Sequence, residues 1–136
     1  MKRLFVTTFL TIVAFTLLAC GTATQQKDVK QQTRPYKKGY LKVDAPHEIL
    51  YALGGNPHGI PVMVLHGGPG GACGPYMFDY FDLNRYNVVL HDQRGCGESR
   101  PANELDGNNT QALVSDIEAL RNHLGLGKVV LFGGSW

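Results

Sequence analysis

Three short apolar runs, Val62-Met63-Val64-Leu65, Val88-Val89-Leu90 and Val129-Val130-Leu131-Phe132, each lead into a glycine-bearing segment. None shows polar alternation. A strand with one wet face alternates, whereas an unbroken β-branched run suits a strand covered on both faces of a parallel sheet. Between the second and third runs, Leu113, Val114, Ile117, Leu120 and Leu124 fall on one face at helical spacing. Asn108, with Gln111 three residues on, is expected to cap that helix, and Gly125 to end it in the left-handed conformation. A shorter helix is expected around Tyr76 to Leu83. Earlier, Gly39-Tyr40-Leu41-Lys42-Val43 alternates at period two and Glu48-Ile49-Leu50-Tyr51-Ala52 suits its hairpin partner, followed by a turn signal at Gly54-Gly55-Asn56-Pro57. A hairpin edge followed by strand–helix units makes the class α/β, with a mostly parallel sheet.

The N-terminus has a different character. Lys2 and Arg3 precede an apolar stretch from Leu4 to Ala19, broken only by Thr7, Thr8, Thr11 and Thr16. At about fifteen residues it is short for a membrane-spanning helix, which needs roughly twenty, and it reads as an export signal. Its end, Leu17-Leu18-Ala19-Cys20-Gly21, resembles the lipobox of bacterial lipoproteins, although Leu18 is bulkier than the usual residue there. That resemblance implies removal of residues 1–19 and a diacylglyceryl group on Cys20. With an added N-acyl chain, such a lipid suffices for stable anchoring. The chain would then sit at the cell envelope, on the outer or cytoplasmic membrane, facing the periplasm or the exterior. Gly21, in place of the Asp that often retains such proteins at the inner membrane, favours the outer one. A plain secretory signal with an incidental Cys20 is the competing reading. Residues 20–38, rich in Gln, Lys and Thr, read as a flexible tether, and residues 39–136 as the folded part. A net charge of +2 calls for no nucleic-acid partner. The three cysteines lack the spacing of a zinc site or a disulfide framework, so Cys73 and Cys96 are expected as separate thiols. No metal or cofactor is expected.

Chemistry concentrates where the apolar runs end. Phe132-Gly133-Gly134-Ser135-Trp136 has a buried strand running into Gly-x-Ser, the first half of a nucleophile elbow. Ser135 is the candidate nucleophile, and the Trp136 amide the group that follows it towards a developing oxyanion. His66-Gly67-Gly68-Pro69-Gly70-Gly71 matches a loop whose backbone N–H completes an oxyanion hole. A phosphate loop competes for this segment, but it has neither a Gly-Lys-Ser/Thr ending nor Gly-x-Gly-x-x-Gly with an acidic follow-up. In the third loop Asp92 and Arg94 are expected to pair locally and shape the turn. Substrate contact is the other reading.

Together these segments resemble the proline iminopeptidase family of α/β-hydrolases. His-Gly-Gly-Pro-Gly, Asp-Gln-Arg-Gly-x-Gly-x-Ser and Gly-Gly-Ser-Trp are matched in order and spacing, from about Gly39 to Trp136. The match takes in Gly54-Gly55-Asn56-Pro57, Asn109-Thr110 and Asp116-Ile117-Glu118-Ala119-Leu120-Arg121. The resemblance implies the N-terminal part of an α/β-hydrolase fold, cut at the nucleophile elbow. It also implies a serine aminopeptidase acting on peptides with an N-terminal proline. Ser135 would attack the carbonyl, with the N–H groups of Gly68 and Trp136 holding the oxyanion. His66 would be structural, because the family's base follows its nucleophile in the chain. The family's catalytic Asp and His, its amine-binding acids and its helical cap also follow that serine. The 136-residue chain alone is therefore expected to be inactive and, with an apolar edge strand, poorly soluble. Because acyl specificity lies in the cap and pocket, an esterase or a broader aminopeptidase remains open. So does a non-catalytic envelope lipoprotein.

Overall fold

A computed structural model describes residues 37–135. Cys20 and its lipobox, the tether up to residue 36, and Trp136 lie outside the described residues. Five strands form one sheet: β1 (Lys37–Lys42), β2 (Glu48–Gly55), β3 (Ile60–Leu65), β4 (Tyr86–His91) and β5 (Val130–Gly133). Their spatial order is β1-β2-β4-β3-β5, with antiparallel β1–β2 and β2–β4 pairs and parallel β3–β4 and β3–β5 pairs. The sheet is therefore parallel on the side of the candidate loops, with the antiparallel hairpin at its other edge. β1 opens at Lys37, two residues before the folded part was expected to begin.

The first two apolar runs are covered on both faces, as their lack of alternation demands, but the third is not. In β5, at the edge of the sheet, Val130, Leu131 and Phe132 are 45–57% exposed, because among the described residues only β3 pairs with it. Met63 and Val89 join Ile49, Tyr51, Leu53 and Leu120 on one face, while Val62, Val64, Val88 and Leu90 join Phe78 and Leu83 on the other. The helix α1 (Thr110–His123) supplies Leu120 to the first layer, with Ile117 and Leu124 beside it. Val114, expected on the same face, is 56% exposed. Asn109 rather than Asn108 caps the helix, accepting from the Ala112 N–H at 3.0 Å. Asn108 instead donates to the Arg94 carbonyl. Gly125 adopts φ +66° and ends the helix as expected.

The segment expected as a short α-helix near Tyr76 is a 3-10 helix over Pro75–Tyr80 that buries only Phe78. That ring packs against Gly54, where a Cβ would lie 2.6 Å from it. The β3-to-β4 connection carries this helix past one face, and the β4-to-β5 connection lays α1 on the other. The chain thus reverses its direction of travel about β3, bringing the loops after β3, β4 and β5 to one edge of the sheet. In open α/β sheets, ligands bind at such a point.

Candidate active site

Ser135 follows β5 with φ +67°, one of two non-glycine residues with positive φ among the described residues. An L-residue held there stores roughly 1–3 kcal/mol, a strain that clusters at functional sites. Gly133 explains how the strand can turn so sharply: a Cβ there would lie 2.9 Å from the Leu65 carbonyl oxygen of β3. The β3 loop approaches the serine just as closely. A Cβ on Gly67 would lie 2.8 Å from the Gly134 oxygen and 2.9 Å from the Ser135 Cβ. Glycine at 67 thus lets the expected oxyanion loop touch the expected nucleophile, since no side chain separates them.

His66 is buried and both of its ring nitrogens are engaged. The Gln93 backbone N–H donates to Nε2 at 3.0 Å, and Nδ1 lies 2.8 Å from the Gly67 oxygen. The Gln93 side-chain amide donates to the His66 carbonyl at 2.9 Å. This is the structural part assigned to His66 from the sequence; Gln93 had no such assignment. A second histidine, His91, shares a cavity of about 520 Å³ with Ser135, His66, Gln93 and Asp116. Burial pulls its imidazole down to about 4, with His66 adding to the effect, so the ring is neutral near pH 7. Its Nδ1 has no hydrogen-bond partner among the described residues.

The third loop corrects the expectation that Asp92 and Arg94 pair with each other. Asp92 accepts from the backbone N–H groups of Cys73 and Glu98, both at 2.8 Å, tying the β4 loop to the segment after β3. Arg94 forks onto Asp116 at 2.8 and 2.6 Å and also reaches Asp44 and the Gly107 carbonyl. The reason is reach. Asp92 is consumed by local backbone donors, while the long Arg94 side chain runs inward to a carboxylate on α1. Neither side chain is placed to meet a substrate. Cys73 and Cys96 are both free thiols. Burial pushes the Cys73 thiol up to about 11, so it stays protonated near neutral pH.

Parallel strands β3, β4 and β5, with a strained serine after β5 contacted by a glycine loop after β3, have the layout expected of an α/β-hydrolase domain. Residues 60–136 match the family described as alpha/beta hydrolase fold. The chain belongs to the α/β-hydrolase family, and proline iminopeptidases are among its homologues there. The proline iminopeptidase of Xanthomonas citri is 52% identical over 102 residues, covering 75% of this chain and 33% of the relative. Among solved structures, a proline iminopeptidase-related protein of Thermus thermophilus is 33% identical with a TM-score of 0.60, covering 74% of this chain and 36% of that one. An epoxide hydrolase from Vigna radiata is 26% identical with the same TM-score of 0.60, covering 74% and 32%. The chain thus spans about a third of the length of the curated relative from Xanthomonas citri.

Proposed function

We propose that this chain carries the nucleophile and oxyanion part of a serine aminopeptidase that releases N-terminal proline from peptides. The observation that carries the reading is Ser135 at φ +67° after a parallel strand, in contact with the Gly67-Gly68 loop. The proline iminopeptidase names of its homologues supply the substrate class. In this reading Ser135 Oγ attacks the scissile carbonyl, and the N–H groups of Gly68 and Trp136 hold the oxyanion. Neither histidine beside Ser135 suits the general-base role. His66 has both nitrogens occupied, and burial lowers His91 to about 4, which makes it a weak base near neutral pH. In this reading the base and its carboxylate follow Ser135 in the chain, as the resemblance to the family implies.

The test is hydrolysis by the product of the complete reading frame. Proline p-nitroanilide is expected to exceed alanine p-nitroanilide in kcat/KM by about tenfold or more, the scale on which a shaped pocket separates similar side chains. Turnover of p-nitrophenyl esters without any anilide cleavage would make the protein an esterase instead.

The same proposal places the enzyme at the cell envelope through a lipid on Cys20, on the support of the lipobox sequence. Cells fed labelled palmitate are expected to label the wild-type protein and not Cys20→Ala. Wild-type protein without label, or equal label in both forms, would refute the anchor.

A further inference from the structure

We propose that His66 and Gln93 are positioning residues that aim the Gly68 N–H at the reacting carbonyl, by fixing the peptide plane between Gly67 and Gly68. The inference rests on the reading of Ser135 as nucleophile. It starts from a mechanical problem. Residues 67, 68, 70 and 71 are all glycine, so the loop has little intrinsic preference for one backbone conformation. An oxyanion donor is effective only if its direction is set before the charge develops.

The hydrogen bonds around His66 supply that constraint. A backbone N–H cannot deprotonate, so the Gln93 N–H requires Nε2 of His66 to be the bare nitrogen. The ring proton is then on Nδ1, which donates to the Gly67 carbonyl 2.8 Å away. The Gln93 side-chain amide holds the His66 carbonyl, so the ring and the backbone that carries it are both pinned to the β4 loop. Gly71 closes the other side, because a Cβ there would overlap the Gly67 oxygen and lie 3.0 Å from Nδ1.

The Gly67–Gly68 peptide is trans, so its C=O and N–H point in opposite directions. Turning the Gly67 oxygen inward onto His66 therefore turns the Gly68 N–H outward. Among the described residues that N–H makes no hydrogen bond, which leaves it free for an incoming oxygen. Gly67 itself abuts Ser135, so the outward-turned amide lies next to the nucleophile's loop.

Two substitutions and one spectroscopic measurement test this in the product of the complete reading frame. Gln93→Leu removes the donor to the His66 carbonyl, and Gly71→Ala displaces the Gly67 oxygen, crowding His66 Nδ1 as well but leaving Gln93 in place. Each is expected to lower kcat on proline p-nitroanilide and on p-nitrophenyl acetate by about 10- to 100-fold, with KM within about twofold. Imidazole ¹⁵N spectra are expected to show His66 protonated on Nδ1 in the wild type, and the Gly68 amide resonance is expected to shift in both variants. A His66 protonated on Nε2 would overturn the proposal. So would folded variants with unchanged kcat, or with the whole loss in KM. If the wild type hydrolyses neither anilide nor ester, the nucleophile reading fails instead. The His66 proton and the Gly68 shift then still decide whether the peptide plane is set as proposed.

Discussion

Ser135→Ala is expected to abolish hydrolysis of proline anilides by the product of the complete reading frame, a loss in kcat of roughly 10⁴-fold or more. The reason is that a serine enzyme's acid–base apparatus acts through one oxygen. Without it, the oxyanion donors and the binding pocket retain only their residual acceleration over water. Folding should survive the change, since Ser135 is exposed and alanine keeps its Cβ. A companion substitution separates chemistry from strain. Ser135→Gly removes the same hydroxyl and also relieves about 1 kcal/mol of left-handed backbone strain relative to alanine. It should be just as inactive and unfold at no lower urea concentration than Ser135→Ala. Full activity in either variant would transfer the nucleophile's role elsewhere. A Ser135→Gly protein markedly less stable than Ser135→Ala would contradict the strained turn.

The turn at Ser135 has a local cause: the apolar strand runs into two glycines, and Ser135 takes φ +67° directly after them. The strands were legible in the sequence. Val62 to Leu65 and Val88 to Leu90 show no alternation because Met63 and Val89 face one core layer while their neighbours face the other. What sequence alone misassigned depends on partners far along the chain. Asn108 and Asn109 are equally good caps by residue type. The choice between them follows from Asn108 being drawn to the Arg94 carbonyl. Val114 satisfies the helical period yet faces outward, and Asp116 is polar yet 4% exposed, because α1 is turned to present a carboxylate to Arg94. Gln93 lies inside the Asp-Gln-Arg-Gly motif, but nothing in the sequence gave it a role. Its importance lies in two hydrogen bonds across 27 residues of sequence.

The loops at this edge of the sheet divide into two kinds. Those after β3 and β5 are glycine-rich and meet each other at Gly67 and Ser135. The β4 loop is rich in charge but spends it internally. Asp92 binds two backbone N–H groups, and Ser99 bridges the Leu50 N–H and the Asp92 carbonyl. Two glycine-rich loops thus lie beside one held by internal hydrogen bonds, and Gln93 links the β4 loop to the β3 loop through His66. This arrangement fits the general requirement that a reacting group be held by side chains themselves locked in place.

The anchor of the β4 loop is Arg94, and Arg94→Met is expected to destabilise the protein by about 3–5 kcal/mol, read as a lower urea midpoint at unchanged slope. Its side chain is 1% exposed and joins three separated segments: Asp116 on α1, Asp44 in the turn after β1, and the Gly107 carbonyl. Removing the guanidinium leaves the Asp116 carboxylate, with 5% of its side chain exposed, buried without its counter-charge. That cost exceeds the modest net value of the intact pair, because desolvation of Asp116 is no longer offset. Arg94→Lys should recover only part of the loss, since an ammonium cannot fork onto both oxygens. Asp44→Ala should shift the urea midpoint far less than Arg94→Met, because Asp44 is 65% exposed and solvent screens its charge. Arg94 holds the Asp44 carboxyl below its usual range, so that small contribution is complete above about pH 4. It disappears as pH falls through the lower folded value. The decisive variant is the double one. Arg94→Met with Asp116→Leu replaces both charges by apolar groups and should regain most of the stability lost in Arg94→Met alone. If the double variant is no more stable than the single one, the penalty comes from lost packing around residue 94 rather than from a stranded carboxylate.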